Sequence, residues 1–159
     1  MGLDPGAPEP IADGHDLSAF ASGEPALDDW LRRRARSNQA SGASRTYVIA
    51  LQHRVIGYFS LASGAITIAE APSRARRNMP GPIPMAVLGR LAIDQEWQRR
   101  GLGRLLLRDA ILRTSQAAAI IGVRGFFQPA YARRSAGGAA VAAGKHAALG
   151  HAAKRPIAS

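Results

Sequence analysis

The chain of 159 residues is long enough for one domain with a core and too short for two comfortable ones. Its 47% apolar share is ordinary for a soluble globular protein, and no run reaches the roughly 18 apolar residues that span a bilayer. The formal charge of +10 suggests an anionic partner, while the lack of cysteine excludes disulfides, thiolate metal sites and a cysteine nucleophile. That charge is unevenly placed: residues 1–109 carry 14 Arg against 11 Asp and Glu, and the last 50 carry seven basic residues and no acid.

The N-terminus, MGLDPGAPEP, is acidic and proline-rich, so it reads as neither a signal nor a transit peptide. A cytoplasmic location without membrane attachment is expected, with residues 1–15 as a loose lead-in. A helix is expected from Pro25, which suits a first helical turn because its missing N–H would be unpaired there. Leu27, Trp30, Leu31 and Ala35 fall on one apolar stripe. Arg32, Arg33, Arg34 and Arg36 gather near its end, where the helix dipole favours cations; they suit a solvated helix end or an anion-binding face equally.

Thr46–Leu51 and Val55–Ala62 are strand-like runs rich in β-branched and aromatic residues, joined by the short polar break Gln52-His53-Arg54. Ala65–Ala69 is a third strand-like run. Arg74 to Pro84 holds three prolines and reads as an exposed loop bearing Arg74, Arg76 and Arg77. Met85–Ile93 returns to strand character. Gly101–Ile121 is expected to be a long helix with Leu102, Leu105, Leu106 and Ala110 on one face, ended by Gly122 and followed by a strand from Val123.

From Gly125 to Ser159 the character changes: 12 Ala and 5 Gly in 35 residues, with no strand or helix period and few large aliphatics. Such a segment buries too little to offset its ordering entropy. It reads either as a basic tail for nucleic acid or as the product of a shifted reading frame, since GC-rich codons out of frame give Ala, Gly, Arg and Pro.

The strongest chemical signal is the succession strand, Gln-Glu-Trp-Gln-Arg-Arg-Gly-Leu-Gly103, helix. A glycine turn opening a helix presents free N–H groups at the positive end of the dipole, a ready phosphate site. Gly101 and Gly103 remove Cβ atoms where a diphosphate would approach, and Arg99, Arg100 and Arg104 add positive charge. A dinucleotide fingerprint would need a glycine where Leu106 stands, and a P-loop would need Gly-Lys-Ser/Thr, which does not occur.

The pattern Gln98-x-x-Gly101-x-Gly103 resembles the Gln/Arg-x-x-Gly-x-Gly/Ala loop of GNAT acetyltransferases. Leu27-Asp-Asp-Trp-Leu, Ser44-Arg-Thr-Tyr-Val, Val55-Ile-Gly-Tyr-Phe-Ser-Leu, Arg77-Asn-Met-Pro-Gly-Pro-Ile-Pro, Leu88-Gly-Arg-Leu-Ala-Ile-Asp and Ile121-Gly-Val-Arg resemble the GNAT toxins of bacterial toxin–antitoxin modules, over about Leu17 to Arg124. The resemblance implies an α/β (α+β) acyl-CoA N-acyltransferase fold with a mixed central sheet flanked by helices. It implies acetyl-CoA as co-substrate and the α-amino group of aminoacyl-tRNA as acceptor, with translation blocked as a result. It implies a ribbon–helix–helix antitoxin as partner, a homodimer being compatible with it, and no metal. Gln98, Arg99, Arg100, Gly101, Leu102, Gly103 and Arg104 would hold the diphosphate, and backbone N–H groups of Leu91, Ala92 and Ile93 the acetyl and pantetheine arm. Arg32, Arg33, Arg36, Arg74, Arg76 and Arg77 become candidates for the tRNA backbone, with ordinary solvated surface as their plain alternative.

After Arg124 the pattern fails. Family members carry a Phe-Tyr pair whose tyrosine protonates the departing thiolate, and this chain has no Phe-Tyr pair; the position falls near Ala139, and Tyr131 is too early. No catalytic residue is therefore assigned. The expected organisation is a lead-in at 1–15, a GNAT domain at 16–124 with its C-terminal strands missing, and an unrelated tail at 125–159. A non-catalytic relic binding acetyl-CoA or antitoxin, and a basic nucleic-acid-binding protein, are the competing readings.

Overall fold

The computed structural model describes residues 4–66, 83–121, 126–127 and 146–147. Chain order is β1 (Glu9–Pro10), α1 (Pro25–Arg33), α2 (Ala35–Ser41), β2 (Arg45–Leu51), β3 (Arg54–Ile66), β4 (Ile83–Ile93), a 3-10 turn (Gln95–Trp97), α3 (Leu102–Ile121), β5 (Phe126–Phe127) and β6 (His146–Ala147). The strands form one sheet in sequence order, antiparallel throughout except for the parallel β4/β5 pair.

Strand alternation sorts the core into two layers. Ile49, Ile56, Phe59, Leu88, Leu91 and Ile93 face α3 and pack on Leu106 and Ala110. Val48, Val55, Tyr58 and Ala92 face the other way, onto Leu27 and Leu31 of α1, Ala35 of α2, and Ile11, Leu17 and Phe20 of the N-terminal segment. The sheet is thus covered by α1 and α2 on one face and by α3 on the other.

Several expectations are corrected. The apolar stripe is real, but its helix breaks at Arg34 (φ −121°, ψ −28°) and restarts as α2, which ends on Gly42 in the left-handed region (φ 81°). The lead-in is not loose from Glu9 onward: Glu9 and Pro10 pair with Val48 and Tyr47, Ile11 is buried, and the Ile11 amide donates to the Thr46 carbonyl. Pro10 is tolerated because the strand lies at the sheet edge. The runs expected as two strands at 55–62 and 65–69 are one strand as far as Ile66. Pro84, read as loop, belongs to β4 and pairs with Ala65. On the side of β4 away from β3, pairing starts only at Ala86, so among the described residues no partner there asks for a Pro84 N–H. On α3, Leu106 and Ala110 are buried as expected, whereas Leu105 is 44% exposed. The C-terminal strands are expected to be missing, yet two-residue strands β5 and β6 from the tail extend the sheet, the rest of the tail lying outside the described residues. The 74–82 stretch, Gly122 and Val123 lie outside the described residues. Among the described residues no helix is long and apolar enough to cross a membrane.

Gln52 and His53 connect β2 to β3 as a two-residue turn with φ of 49° and 71°. Both angles are positive, the geometry that favours Asn-Gly. A non-glycine residue there costs about 1–2 kcal/mol. Because glycine removes this strain at some cost in chain entropy, His53→Gly is expected to stabilise the fold by about 1 kcal/mol, read as a raised melting temperature. An unchanged or lowered value would count against strain at this turn.

Candidate active site

The site is built where β4 ends. Leu91, Ala92 and Ile93 pair with β3 on one side, through Phe59, Tyr58 and Gly57. On the other side β5 pairs only with Ala86 and Val87, so among the described residues the 91–93 segment presents a strand edge. A strand edge is a row of backbone donors and acceptors, which an extended amide-bearing chain can join. Just upstream the β3/β4 register shifts between Ser60 and Leu61, which face Arg90 and Leu88, leaving Gly89 as the extra residue of a bulge. A Cβ at Gly89 would sit 3.3 Å from Ser60 Oγ, tight for any larger residue.

Beyond Ile93 the chain is held by a buried carboxylate. Asp94 is 2% exposed; its amide donates to the Ile56 carbonyl (2.8 Å), and its carboxylate accepts from the amides of Ala21 (3.1 Å) and Glu96 (3.0 Å). Arg54 Nη2 lies 3.6 Å from it and 3.5 Å from Glu96. Gln98 closes the corner: its Nε2 donates to the carbonyls of Ile93 (2.9 Å) and Ser22 (2.8 Å). The side chain of Gln98 therefore fixes the loop from inside, and its amide donates to the Gln95 carbonyl (3.4 Å). Ser22 is itself held by the buried carboxylate of Asp28, which accepts from its hydroxyl (2.6 Å) and its amide (3.1 Å). Sequence reasoning missed this Ser22–Asp28 and Asp94–Arg54 framework, since carboxylates so far apart in the chain carry no joint motif. Asp94→Ala removes an anion that accepts two amide hydrogen bonds, and is expected to cost about 2–3 kcal/mol. Chemical denaturation measures it, and a loss below about 0.5 kcal/mol would mean the loop is held by other contacts.

The loop then turns with Arg99 at φ 64° and Gly101 at φ 84°, and α3 starts at Leu102. Left-handed residues alternating with ordinary ones direct successive N–H groups into one concavity, an anion-binding arrangement. The Leu105 amide donates to the Gly101 carbonyl, so the helix ladder begins there and the amides of Leu102, Gly103 and Arg104 precede it. Gly103 is buried in that first turn, while Arg99, Arg100 and Arg104 are exposed around it. Arg100 lies 4.7 Å from the Trp97 ring centre, and among the described residues none of the three has a carboxylate partner. The donor set fits a diphosphate, with orphan amides and the helix dipole at the turn and three exposed arginines in the same short stretch. The expected cofactor residues 91–93 and 98–104 are thus contiguous at one end of the sheet.

The candidate tRNA arginines divide. Arg32 Nη1 donates to the Phe20 carbonyl (2.7 Å), and Arg36 Nη2 to the carbonyl of His15, so both stitch the N-terminal segment to the helices. Arg33 is exposed with no ion-pair partner among the described residues. Arg74, Arg76 and Arg77 lie outside them.

The acetyltransferase (GNAT) family model matches residues 14–124. A tRNA-acetylating toxin of Mycobacterium tuberculosis (strain ATCC 25618 / H37Rv) is 53% identical over 118 residues, 74% of this chain and 71% of that protein. The structure of AtaT complexed with acetyl-methionyl-tRNAfMet superposes with a TM-score of 0.71 at 29% identity, covering 77% of this chain and 76% of that one. A mutant of the AtaT toxin bound to the C-terminus of the antitoxin AtaR and acetyl-CoA gives a TM-score of 0.64 at 28% identity, over 77% and 73% of the two chains. With a family model spanning most of the chain and a majority-identical relative, the protein belongs to the GNAT acetyltransferase family.

Proposed function

We propose that the chain is an acetyl-CoA-dependent N-acetyltransferase whose acceptor is the α-amino group of aminoacyl-tRNA, with arrest of translation as the consequence. The observation that carries this reading is the 53% identity to a tRNA-acetylating toxin, coupled to a loop whose donors suit a diphosphate. Acetyl-CoA, when bound, supplies the activated acetyl group as a thioester. The chain's own part is to hold that carbonyl along the 91–93 edge and to orient the amine. An α-amino group has a pKa of about 7.7–8.0, so a large neutral fraction exists near pH 7 without a strong base. Positioning and polarisation then carry most of the acceleration, and no covalent enzyme nucleophile is needed.

The residues proposed to contact acetyl-CoA are those of 91–93 and 98–104. Arg33, with Arg74, Arg76 and Arg77, is proposed for the tRNA backbone, and Arg32 and Arg36 contribute to it only through the shape they impose on the N-terminal segment. The match to the family ends at Arg124, which supports a folded unit of about residues 16–124 followed by a tail of different origin. A ribbon–helix–helix antitoxin, a homodimeric state and a cytoplasmic location belong to the same reading. The binding of an AtaT mutant to the C-terminus of the antitoxin AtaR supports an antitoxin partner. Transfer of radiolabelled acetyl from acetyl-CoA to bulk charged tRNA, with identification of N-acetylated aminoacyl-adenosine after nuclease digestion, tests the activity. Label appearing on protein lysines and none on tRNA would overturn it.

A further inference from the structure

Arg90 sits one residue before the 91–93 edge. In the β3/β4 register it faces Ser60, two places from the Tyr58/Ala92 pair. Tyr58 and Ala92 belong to the layer beneath α1, so Arg90 points to that face too, and its Cζ lies 4.3 Å from the ring centre of Trp30 on α1. Trp30 in turn stacks on Tyr58, with ring centres 6.0 Å apart and planes 12° from parallel, and the Tyr58 hydroxyl donates to the Leu27 carbonyl (2.7 Å). Each layer of this column is fixed by the next, ending on a buried tyrosine.

The guanidinium at the top of the column has one face covered by indole and, among the described residues, no carboxylate partner. Stacking on an aromatic ring leaves the N–H groups in the guanidinium plane available, and that planar fork matches a phosphate. Its position decides which phosphate. The diphosphate loop opens α3, which covers the opposite face of the sheet. A co-substrate entering there and lying along the β4 edge leaves the α1 face as the approach for the acceptor amine. We propose that Arg90, stacked on Trp30, is the acceptor-side positioning residue, and that it takes the phosphate of the 3′-terminal nucleotide carrying the aminoacyl group. This rests on the tRNA-directed reading above. A terminal phosphate gripped one residue from the acetyl-holding edge would set the depth to which the aminoacyl ester enters, so that only an α-amine at that distance meets the thioester.

The test uses the full chain and two readouts. Arg90→Met keeps an unbranched apolar stem against Trp30 and removes the charge, and Arg90→Lys restores charge without the fork. Binding is measured by fluorescence anisotropy with an acceptor-stem minihelix bearing a stable amide-linked amino acid at its 3′ end, over a range of salt. Arg90→Met is expected to weaken binding about tenfold or more and to reduce the slope of log affinity against log salt by about 0.7, as for one lost single-strand phosphate contact. Arg90→Lys should recover the slope but only part of the affinity. In acetylation assays the KM for charged tRNA should rise about tenfold while the KM for acetyl-CoA stays fixed. An unchanged salt slope in Arg90→Met, or a rise in the acetyl-CoA KM in place of the tRNA KM, would overturn the proposal. If the wild-type chain binds the minihelix with the Arg90-dependent slope yet acetylates no tRNA, the functional reading falls and the Arg90 site stands.

Discussion

Replacing Gly103 by glutamate is expected to weaken acetyl-CoA binding at least about a hundredfold, or about 2.7 kcal/mol. Gly103 is buried in the first turn of α3, where three backbone amides precede the helix ladder. A side chain there is expected to crowd the turn that presents these amides, and a carboxylate adds repulsion to the diphosphate. The helix itself should tolerate the change electrostatically, because an acidic residue in a first turn complements the dipole. Because Gly103 is buried, glutamate there is also expected to lower the melting temperature, so loss of binding reports the site when measured well below the variant's own melting temperature. Gly101 offers a second, cleaner probe. An added Cβ there meets nothing within 4 Å, so Gly101→Ala tests only the left-handed backbone, at φ 84°. A strained turn costing about 1–2 kcal/mol should lower affinity modestly by comparison. Titration calorimetry showing the same acetyl-CoA affinity in Gly103→Glu as in the parent chain would remove the loop from the site.

The sequence made the loop legible because its signal is local. Two glycines, an arginine cluster and a following apolar helix all lie within one short stretch, and backbone geometry at Gly101 is a property of the residue itself. The strands were legible for a similar reason, since alternation assigns Val48 to one layer and Ile49 to the other without reference to anything distant. What the sequence hid is non-local. The break at Arg34 leaves Leu27, Leu31 and Ala35 on one stripe, so the apolar period runs across it unaltered. Pro84 looked like a loop residue because the demand for its N–H depends on whether a strand lies beside it. Gln98 was read as a ligand contact, yet its side chain joins Ile93 to Ser22, a partner 76 positions away. Trp30 was counted as core and Arg90 as part of a motif; only the pairing of β4 against α1 brings them together.

Acetyl transfer by this chain is expected to be about 10²–10⁴-fold slower than by a version in which the segment after Arg124 is restored to the family pattern, including its Phe-Tyr pair. That range is the usual worth of a positioned proton donor or acceptor. In the family the tyrosine protonates the departing thiolate, and no Phe-Tyr pair exists here. The sheet compounds the loss. Beyond Val87 the described residues place no strand beside β4, and β5 and β6 contribute two residues each. Among the described residues the diphosphate loop is then the main element left to orient the thioester along the 91–93 edge. Two features oppose a complete loss: the α-amine is partly neutral near pH 7, and a thiolate leaves more readily than an alkoxide. The rate difference should narrow as pH rises, because a leaving thiol of ordinary pKa, about 8.5, needs its proton less in alkaline solution. Parallel assays of the two versions on the same charged tRNA, from about pH 6.5 to 9 so as to bracket that pKa, decide the matter. Equal rates across that range would show that the tail is no lesion and that proton donation to the thiolate comes from water or from another group of the chain.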